Sequence, residues 1–142
     1  MPEHKTIVTV EENGKGLYTQ SIKASNHALI ADEPADIGGL DQGPAPYDLL
    51  LSALGACTSM TLRMYANQKK WDLKRVAVKL THEKALDAEN KKYDVITREI
   101  TVEGALDDAQ RQRLLEIANK CPVHRTLTEL PRPVVTSRLK DV

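Results

Sequence analysis

The sequence feature that most constrains the fold is the run from Leu49 to Leu62, where apolar residues fall on every side of a helix. Pro46 and Asp48 precede the run and suit a first helical turn, because proline's missing N–H costs nothing there and a carboxylate lies near the positive helix end. We therefore predict a helix from Pro46 to about Lys69. A helix that is apolar all round is enclosed by other elements. Since a small domain rarely encloses a helix unaided, we expect a second subunit to cover part of it.

The same apolar stretch is too polar for a membrane span. Residues 49–64 include one arginine and four hydroxyl side chains, and charged residues flank them. They therefore fall short of the roughly 20 apolar residues that a spanning helix needs. Residues 1–6 lack the apolar region of a secretory signal. Two cysteines in such a chain indicate reduced thiols, so we predict a cytoplasmic protein without a membrane partner.

Short strands are predicted on both sides of the helix. Before it, β-branched and alternating runs predict three strands, Thr6–Val10, Leu17–Ile22 and His27–Ala31. A loop rich in Pro and Gly follows over residues 32–46. After the helix, two alternating runs predict a hairpin with a polar loop at Lys84–Lys92, and these runs are Val76–Leu80 and Ile96–Val102.

The last third of the chain predicts a second helix. Asp107 and Asp108 cap its start, and Cys121 is its expected last residue, because the residue before a proline avoids helical geometry. Its core-facing residues are predicted to be Leu114, Leu115, Ile117 and Ala118. One more helical turn and a closing strand are predicted at Val123–Leu130 and Val134–Arg138. The order βββ-α-ββ-α-β is an α+β fold, in a single domain over residues 1–142.

Composition and motif spacing exclude several classes of function. Twenty basic residues balance twenty acidic ones, so no net field attracts nucleic acid. Cys57, His82, Cys121 and His124 are conceivable zinc ligands, but they supply only one closely spaced pair, so we predict no metal. No glycine-rich turn joins a strand to a helix, as a phosphate-binding motif requires. The sequence therefore predicts no phosphate-binding loop.

Cys57 lies in the middle of the apolar helix, where the simplest interpretation is a small buried hydrophobe. Gly55 argues mildly against this, because a glycine inside a helix usually reflects close approach by another group. Cys57 is too deep in the helix for the N-terminal dipole to lower its pKa. Activation of its thiol therefore needs a nearby cation or hydrogen-bond donors.

Cys121, as the predicted end of a helix, lies at the negative end of the dipole, which disfavours a thiolate. Lys120, His124 and Arg125 offset that effect. The dipole alone would make Cys121 the less acidic thiol, better suited to resolve than to attack. Two alternatives stay open: an inert capping cysteine, and a Cys–His hydrolase with His124 as the base.

Residues 43–57, with the sequence GPAPYDLLLSALGAC, resemble the start of the central helix in the OsmC/Ohr family. In that family a Gly-x-x-Pro element opens a long helix that carries the first reactive cysteine. Cys121-Pro122, after a short helix, is similar to the second cysteine of the family. The resemblance implies an intertwined homodimer, with antiparallel-rich sheets wrapped around long central helices.

The resemblance also implies reduction of hydroperoxides, organic ones above all, in defence against oxidative stress. Cys57 would attack the peroxide and become a sulfenic acid, and Cys121 would close a disulfide with it. An external dithiol would restore both thiols, and the resemblance implies no bound cofactor. Asp48, His124 and Arg125 are candidates for tuning this site.

Two positions depart from the peroxidases of the family, which carry a glutamate directly after the proline and an arginine in the N-terminal strand region. Here Tyr47 follows Pro46, and the first arginine of the chain is Arg63. Tyr47-Asp48 and Cys57-Thr58-Ser59 are instead similar to an OsmC-like branch. The alternative function is therefore a non-catalytic dimer that binds an apolar ligand or a partner protein.

Overall fold

The computed structural model describes residues 4–141, and the chain divides into two compact units, residues 1–50 and 51–142. The first unit contains a three-stranded antiparallel sheet in the order β1-β2-β3. Its strands are β1 (Val8–Glu12), β2 (Gln20–Ala24) and β3 (His27–Ala31). The predicted bounds of β3 are confirmed. The first two strands start two and three residues later than predicted. The second starts late because residues 13–19 form the connection, closed by a bond from Asn13 N–H to the Thr19 carbonyl.

The loop after β3 folds around the carboxylate of Asp32, which is only 2% exposed. Asp32 accepts hydrogen bonds from the Thr19 hydroxyl (2.9 Å), Glu33 N–H (2.8 Å) and Gln42 N–H (3.3 Å). Burial acts to raise its pKa, but these hydrogen bonds and one from Leu40 together hold the pKa below its usual value. The loop also contains a short 3₁₀ helix, Ala35–Ile37.

Helix α1 runs from Pro46 to Lys69, as predicted. One face of it is buried, at Leu54, Gly55, Thr58, Leu62 and Ala66. Met60 and Met64, on the other side, are 60% and 57% exposed. A single chain therefore encloses only one face of this apolar helix, and the predicted cover by a second subunit stays a prediction.

None of the helices within residues 4–141 combines the length and the apolar character needed to cross a membrane.

The second unit contains a long antiparallel hairpin formed by β4 (Asp72–Leu86) and β5 (Lys92–Ala105). The predicted alternating runs lie within it. The predicted loop at Lys84–Lys92 is too long, since both of its ends pair as strand and only residues 87–91 turn. Asp87 closes that turn, because its carboxylate accepts from the backbone N–H groups of Glu89 and Lys91.

Helix α2 (Asp108–Ala118) begins at Asp107, which forms a capping box with Gln110 and so confirms the predicted cap. The core of this unit joins α2 to α1 and β4, through Leu62, Ala66, Leu73, Leu114, Ile117 and Ala118. The prediction for Leu115 is wrong: it is 55% exposed. It projects about 100° round the helix from Leu114, away from the buried stripe.

Two further predictions for the end of the chain are wrong. Cys121 does not end α2, which stops at Ala118; it caps the start of α3 (Pro122–Thr128). Pro122 opens this helix because its missing N–H costs nothing in a first turn. Val134–Arg138 forms no strand, and Val134 is 88% exposed. Alternation favours a strand, but a strand also needs a partner, and none pairs with this segment in the described part of the chain. The helical turn predicted at Val123–Leu130 is confirmed as α3, and so is the α+β class, without the predicted closing strand.

Candidate active site

The structure brings the two cysteines, 64 positions apart in the sequence, into direct contact. Both are free thiols, and their side chains are hydrogen-bonded to each other. Cys57 is half-buried on α1, whereas Cys121 is completely buried at the cap of α3. The sequence left open whether these two residues meet, and the fold of residues 51–142 supplies the contact.

Gly55 permits close packing one turn before the site. A Cβ built on Gly55 lies 2.7 Å from the Cδ1 atom of Leu80 on β4, closer than side chains normally approach. The sequence-based expectation that another group approaches this glycine is confirmed. The hairpin therefore packs tightly against the part of α1 that carries Cys57.

The Cys121 sulfur collects hydrogen-bond donors from two helices. Besides Cys57 it accepts from the backbone N–H of His124 at 3.4 Å and from the Thr58 hydroxyl at 4.0 Å. The His124 N–H belongs to the first turn of α3, whose positive end favours an anion. The prediction that Cys121 lies at a negative helix end is therefore wrong, because α2 stops at Ala118 and Cys121 caps the start of α3.

These contacts reverse the predicted order of acidity. Burial acts to raise the pKa of Cys121, but the hydrogen bonds from Cys57, His124 N–H and Thr58 outweigh it and lower that pKa. The pKa of Cys57 is raised, first by burial and then by the hydrogen bond that it gives to Cys121. The two thiols titrate as a pair, and the first negative charge resides mainly on Cys121.

An arginine that the sequence analysis did not single out organises the surroundings of this pair. Arg98 on β5 donates to the Thr58 hydroxyl oxygen (2.9 Å) and to the Ala118 carbonyl (3.0 Å) through Nη1. Through Nη2 it donates to Asn119 Oδ1 (2.7 Å) and to His124 Nδ1 (3.0 Å). A signal for it exists in the sequence: positions 96, 98, 100 and 102 share one face of an alternating strand, and only position 98 is charged. A charge on the inward-facing side of a strand indicates a partner in the interior.

The same arginine fixes the protonation state of His124. A guanidinium has no acceptor atom, so His124 Nδ1 must accept the hydrogen bond and the ring proton sits on Nε2. Burial and then the Arg98 charge lower the pKa of His124, which favours the neutral ring. His124 therefore contributes a backbone donor to Cys121 and a neutral side chain to Arg98.

Thr58 links the arginine to the sulfur. Its buried hydroxyl has one proton, within reach of the Leu54 carbonyl at 2.7 Å and of Cys121 Sγ at 4.0 Å. Since Arg98 only donates, its hydrogen bond to Thr58 leaves that proton available to either acceptor. A negative charge on Cys121 would favour the sulfur.

The remaining predicted residues have other described partners. Asp48 lies in the first turn of α1 and accepts from Ala45 N–H at 2.9 Å. Arg125 forms an ion pair with Glu129 on an exposed side of α3, at 3.1 Å. A tuning role for either residue stays a prediction. Among residues 4–141, no three or more His, Cys, Asp or Glu side chains are grouped so that they could hold a metal ion.

Fold and site together define a small α+β protein in which a long helix and a short one bring two free thiols into contact. The family model described as OsmC-like protein matches residues 39–136. The chain belongs to the OsmC-like family, and the resemblance found in the sequence is confirmed.

Solved structures of family members share the fold. The OsmC like protein from Mycoplasma pneumoniae matches with a TM-score of 0.75 at 17% identity, over 91% of each chain. The organic hydroperoxide resistance protein OsmC from Legionella pneumophila matches with a TM-score of 0.68 at 18% identity, over 90% of this chain and 92% of that one. An organic hydroperoxide resistance protein from Elizabethkingia anophelis has a TM-score of 0.67 at 15% identity, over 91% of each chain. No curated protein matches the sequence.

Proposed function

We propose that this protein reduces organic hydroperoxides, with Cys57 as the attacking thiol and Cys121 as the resolving thiol. The observation that carries the proposal is the direct hydrogen bond between two free thiols far apart in sequence. Two solved structures with the same fold are named organic hydroperoxide resistance proteins. A role in oxidative-stress defence in the cytoplasm, a homodimer and an external dithiol reductant belong to the same proposal.

The difference in exposure supports these two roles, although acidity alone would favour the reverse. Cys121 is completely buried and Cys57 is half-buried, so a peroxide has access to Cys57 first. In the singly ionised pair the Cys57 S–H donates to the Cys121 thiolate. Transfer of that proton along the hydrogen bond leaves the accessible sulfur as the thiolate, and a thiolate is the reactive nucleophile. Cys121 thus acts as the proton acceptor for Cys57.

The reaction then runs in two balanced steps. The Cys57 thiolate attacks one peroxide oxygen, the O–O bond breaks, and Cys57 becomes a sulfenic acid. The departing alkoxide takes the proton from Cys121 and leaves as the alcohol. The regenerated Cys121 thiolate attacks the Cys57 sulfur, the S–S bond forms, and hydroxide leaves to become water with a proton from solvent. A dithiol reduces the disulfide by thiol–disulfide exchange and is itself oxidised.

Cumene hydroperoxide with dithiothreitol as reductant tests the proposal. Cys57→Ser should lower peroxide turnover by at least about 100-fold, because the nucleophile is lost. With dithiothreitol left out, Cys121→Ser should consume one equivalent of peroxide and leave a Cys57 sulfenic acid that dimedone traps, whereas the wild type should close to the disulfide. Peroxide consumption that is equal in the wild type and in Cys57→Ser would remove the enzymatic proposal. Thiols left unchanged by one equivalent of peroxide would favour the alternative of a binding module.

A further inference from the structure

The guanidinium of Arg98 forms hydrogen bonds with residues on both sides of Cys121. Before the cysteine it binds the Ala118 carbonyl and the Asn119 side chain, and after it the His124 ring. Between these contacts lies the turn from α2 to α3, in which Lys120 N–H bonds to the Ile117 carbonyl (2.9 Å) and Cys121 N–H to the Ala118 carbonyl (3.4 Å). The backbone bonds fix the shape of the turn, and Arg98 adds the contacts that tie its two ends, at Ala118 and His124, to one group on β5.

The same guanidinium ties this turn to the helix of the other cysteine. Its hydrogen bond to Thr58 is 2.9 Å long, and Thr58 is the neighbour of Cys57 on α1. One rigid, planar group thus connects α1, the end of α2 and the first turn of α3. Lysine cannot reproduce the arrangement, because its three N–H donors share one nitrogen, whereas the guanidinium spreads its donors over a planar fork.

We propose that Arg98 is a positioning residue for the thiol pair, holding the Cys121 turn against α1 so that the oxidised Cys57 closes to a disulfide before a second oxidation. Its benefit rests on the proposed hydroperoxide reduction, in which the sulfenic acid has two fates. Attack by Cys121 gives the disulfide and releases water. Attack on a second hydroperoxide molecule gives a sulfinic acid and another alcohol, a state that thiols do not reverse. Faster closure protects the enzyme.

The decisive variant is Arg98→Met, which keeps an apolar stem and removes the fork. Disulfide closure should slow by about ten-fold or more, because small displacements of reacting groups have large effects on rate. Initial sulfenic acid formation should change much less, since Cys57 stays on α1. Mass spectrometry after graded cumene hydroperoxide, without reductant, should show Cys57 sulfinic acid in place of disulfide. Arg98→Lys should lie between the two proteins.

A second readout separates positioning from a general loss of structure. The Arg98 charge lowers the pKa of His124, so the NMR titration of the His124 ring should move to higher pH in Arg98→Met. It should stay closer to the wild type in Arg98→Lys, which keeps the charge. Arg75→Met is the matched control, because Arg75 is an exposed arginine of β4 that pairs with Glu103. Its disulfide closure should equal that of the wild type.

Diamide, which oxidises dithiols without peroxide, distinguishes failure of this proposal from failure of the proposed function. One outcome supports the positioning role and contradicts peroxide reduction: the wild-type thiols do not react with cumene hydroperoxide, but diamide forms the disulfide more slowly in Arg98→Met than in the wild type. Closure in folded Arg98→Met within about two-fold of the wild type, with either oxidant, overturns the positioning role. If circular dichroism shows that Arg98→Met does not fold, Asn119→Ala is tested in its place, because it removes one exposed contact of Arg98. Disulfide closure should then be slower than in the wild type. An unchanged rate of closure would overturn the proposal.

Discussion

Two buried side chains, one in each compact unit, collect hydrogen-bond donors in the same manner. Asp32 accepts from the Thr19 hydroxyl and from the backbone N–H groups of its own loop. Cys121 accepts from the Thr58 hydroxyl, from a backbone N–H of α3 and from the Cys57 thiol. In both cases the hydrogen bonds outweigh burial and lower the pKa.

The consequences differ because the two groups start from different acidities. An aspartate ordinarily titrates at roughly pH 4 and a cysteine at roughly pH 8.5. Lowering the pKa of Asp32 leaves it charged at every physiological pH, so its donors only hold the loop in shape. Lowering the pKa of Cys121 moves its titration toward neutrality, where it changes how often the thiol pair is ionised. The same type of contact therefore stabilises a loop in one unit and supports chemistry in the other.

The largest expected effect comes from removing the carboxylate of Asp32, which stabilises the loop. Asp32→Ala leaves the Thr19, Glu33 and Gln42 donors without their acceptor, and the melting temperature should fall by roughly 5 °C or more. Asp36→Ala, an exposed change in the same loop, should leave it nearly unaltered. Since the folded pKa of Asp32 is lowered, its stabilisation is complete above about pH 4 and is lost as pH falls below that. Equal melting temperatures in the two variants would show that the loop does not need this carboxylate.

A smaller effect, on the pKa of the remaining thiol, should follow from removing one cysteine of the pair at a time. In Cys121→Ala the pKa of Cys57 should fall, because both the hydrogen bond to Cys121 and the charge on Cys121 raise it. In Cys57→Ala the pKa of Cys121 should rise, because a donor to its sulfur is lost. Thiolate absorbance near 240 nm, followed against pH in each single-cysteine protein, measures both. Shifts in the opposite directions would show that the two thiols do not share a proton.

The smallest expected effect concerns His124. Its pKa is lowered in the folded protein by burial and by Arg98, so the unfolded chain takes up a proton first as pH falls. Stability should be complete above about pH 6.5 and decline as pH falls from there toward the lower folded pKa. Between about pH 7.5 and about pH 5.5, the urea midpoint of the wild type should drop more than that of His124→Gln. Parallel declines would assign the pH dependence to other groups.

Local patterns predicted the regular elements well. The bounds of α1 and β3 and the cap at Asp107 follow from short-range chemistry: a proline in a first turn, an alternating run, an aspartate followed three residues later by a glutamine. The errors lie where that chemistry is ambiguous. A proline is equally compatible with the position just after a helix and with the first position of the next one. Pro122 occupies the second kind of position, so Cys121 lies at the positive end of α3 and not at the negative end of α2.

Partners that come from distant segments account for the other failures. Val134–Arg138 alternates like a strand, but pairing is a property of two segments, and a single run of residues contains only one of them. The alternating pattern of β5 places the charge of Arg98 on its inward face, which indicates a buried partner. The residues next to Arg98 in sequence do not identify that partner, because the groups it binds come from distant segments.

The amino-acid sequence by itself determined the class of fold, the long helix and the presence of two thiols in the family's spacing, because periodicity, turn chemistry and motif order are local properties. Only the tertiary structure decided that Cys57 and Cys121 are hydrogen-bonded to each other, that the pKa of Cys121 is lowered while that of Cys57 is raised, and that Arg98 contacts residues next to both. Hydrogen bonds and burial set those properties, and both depend on which distant segments the fold packs against each other.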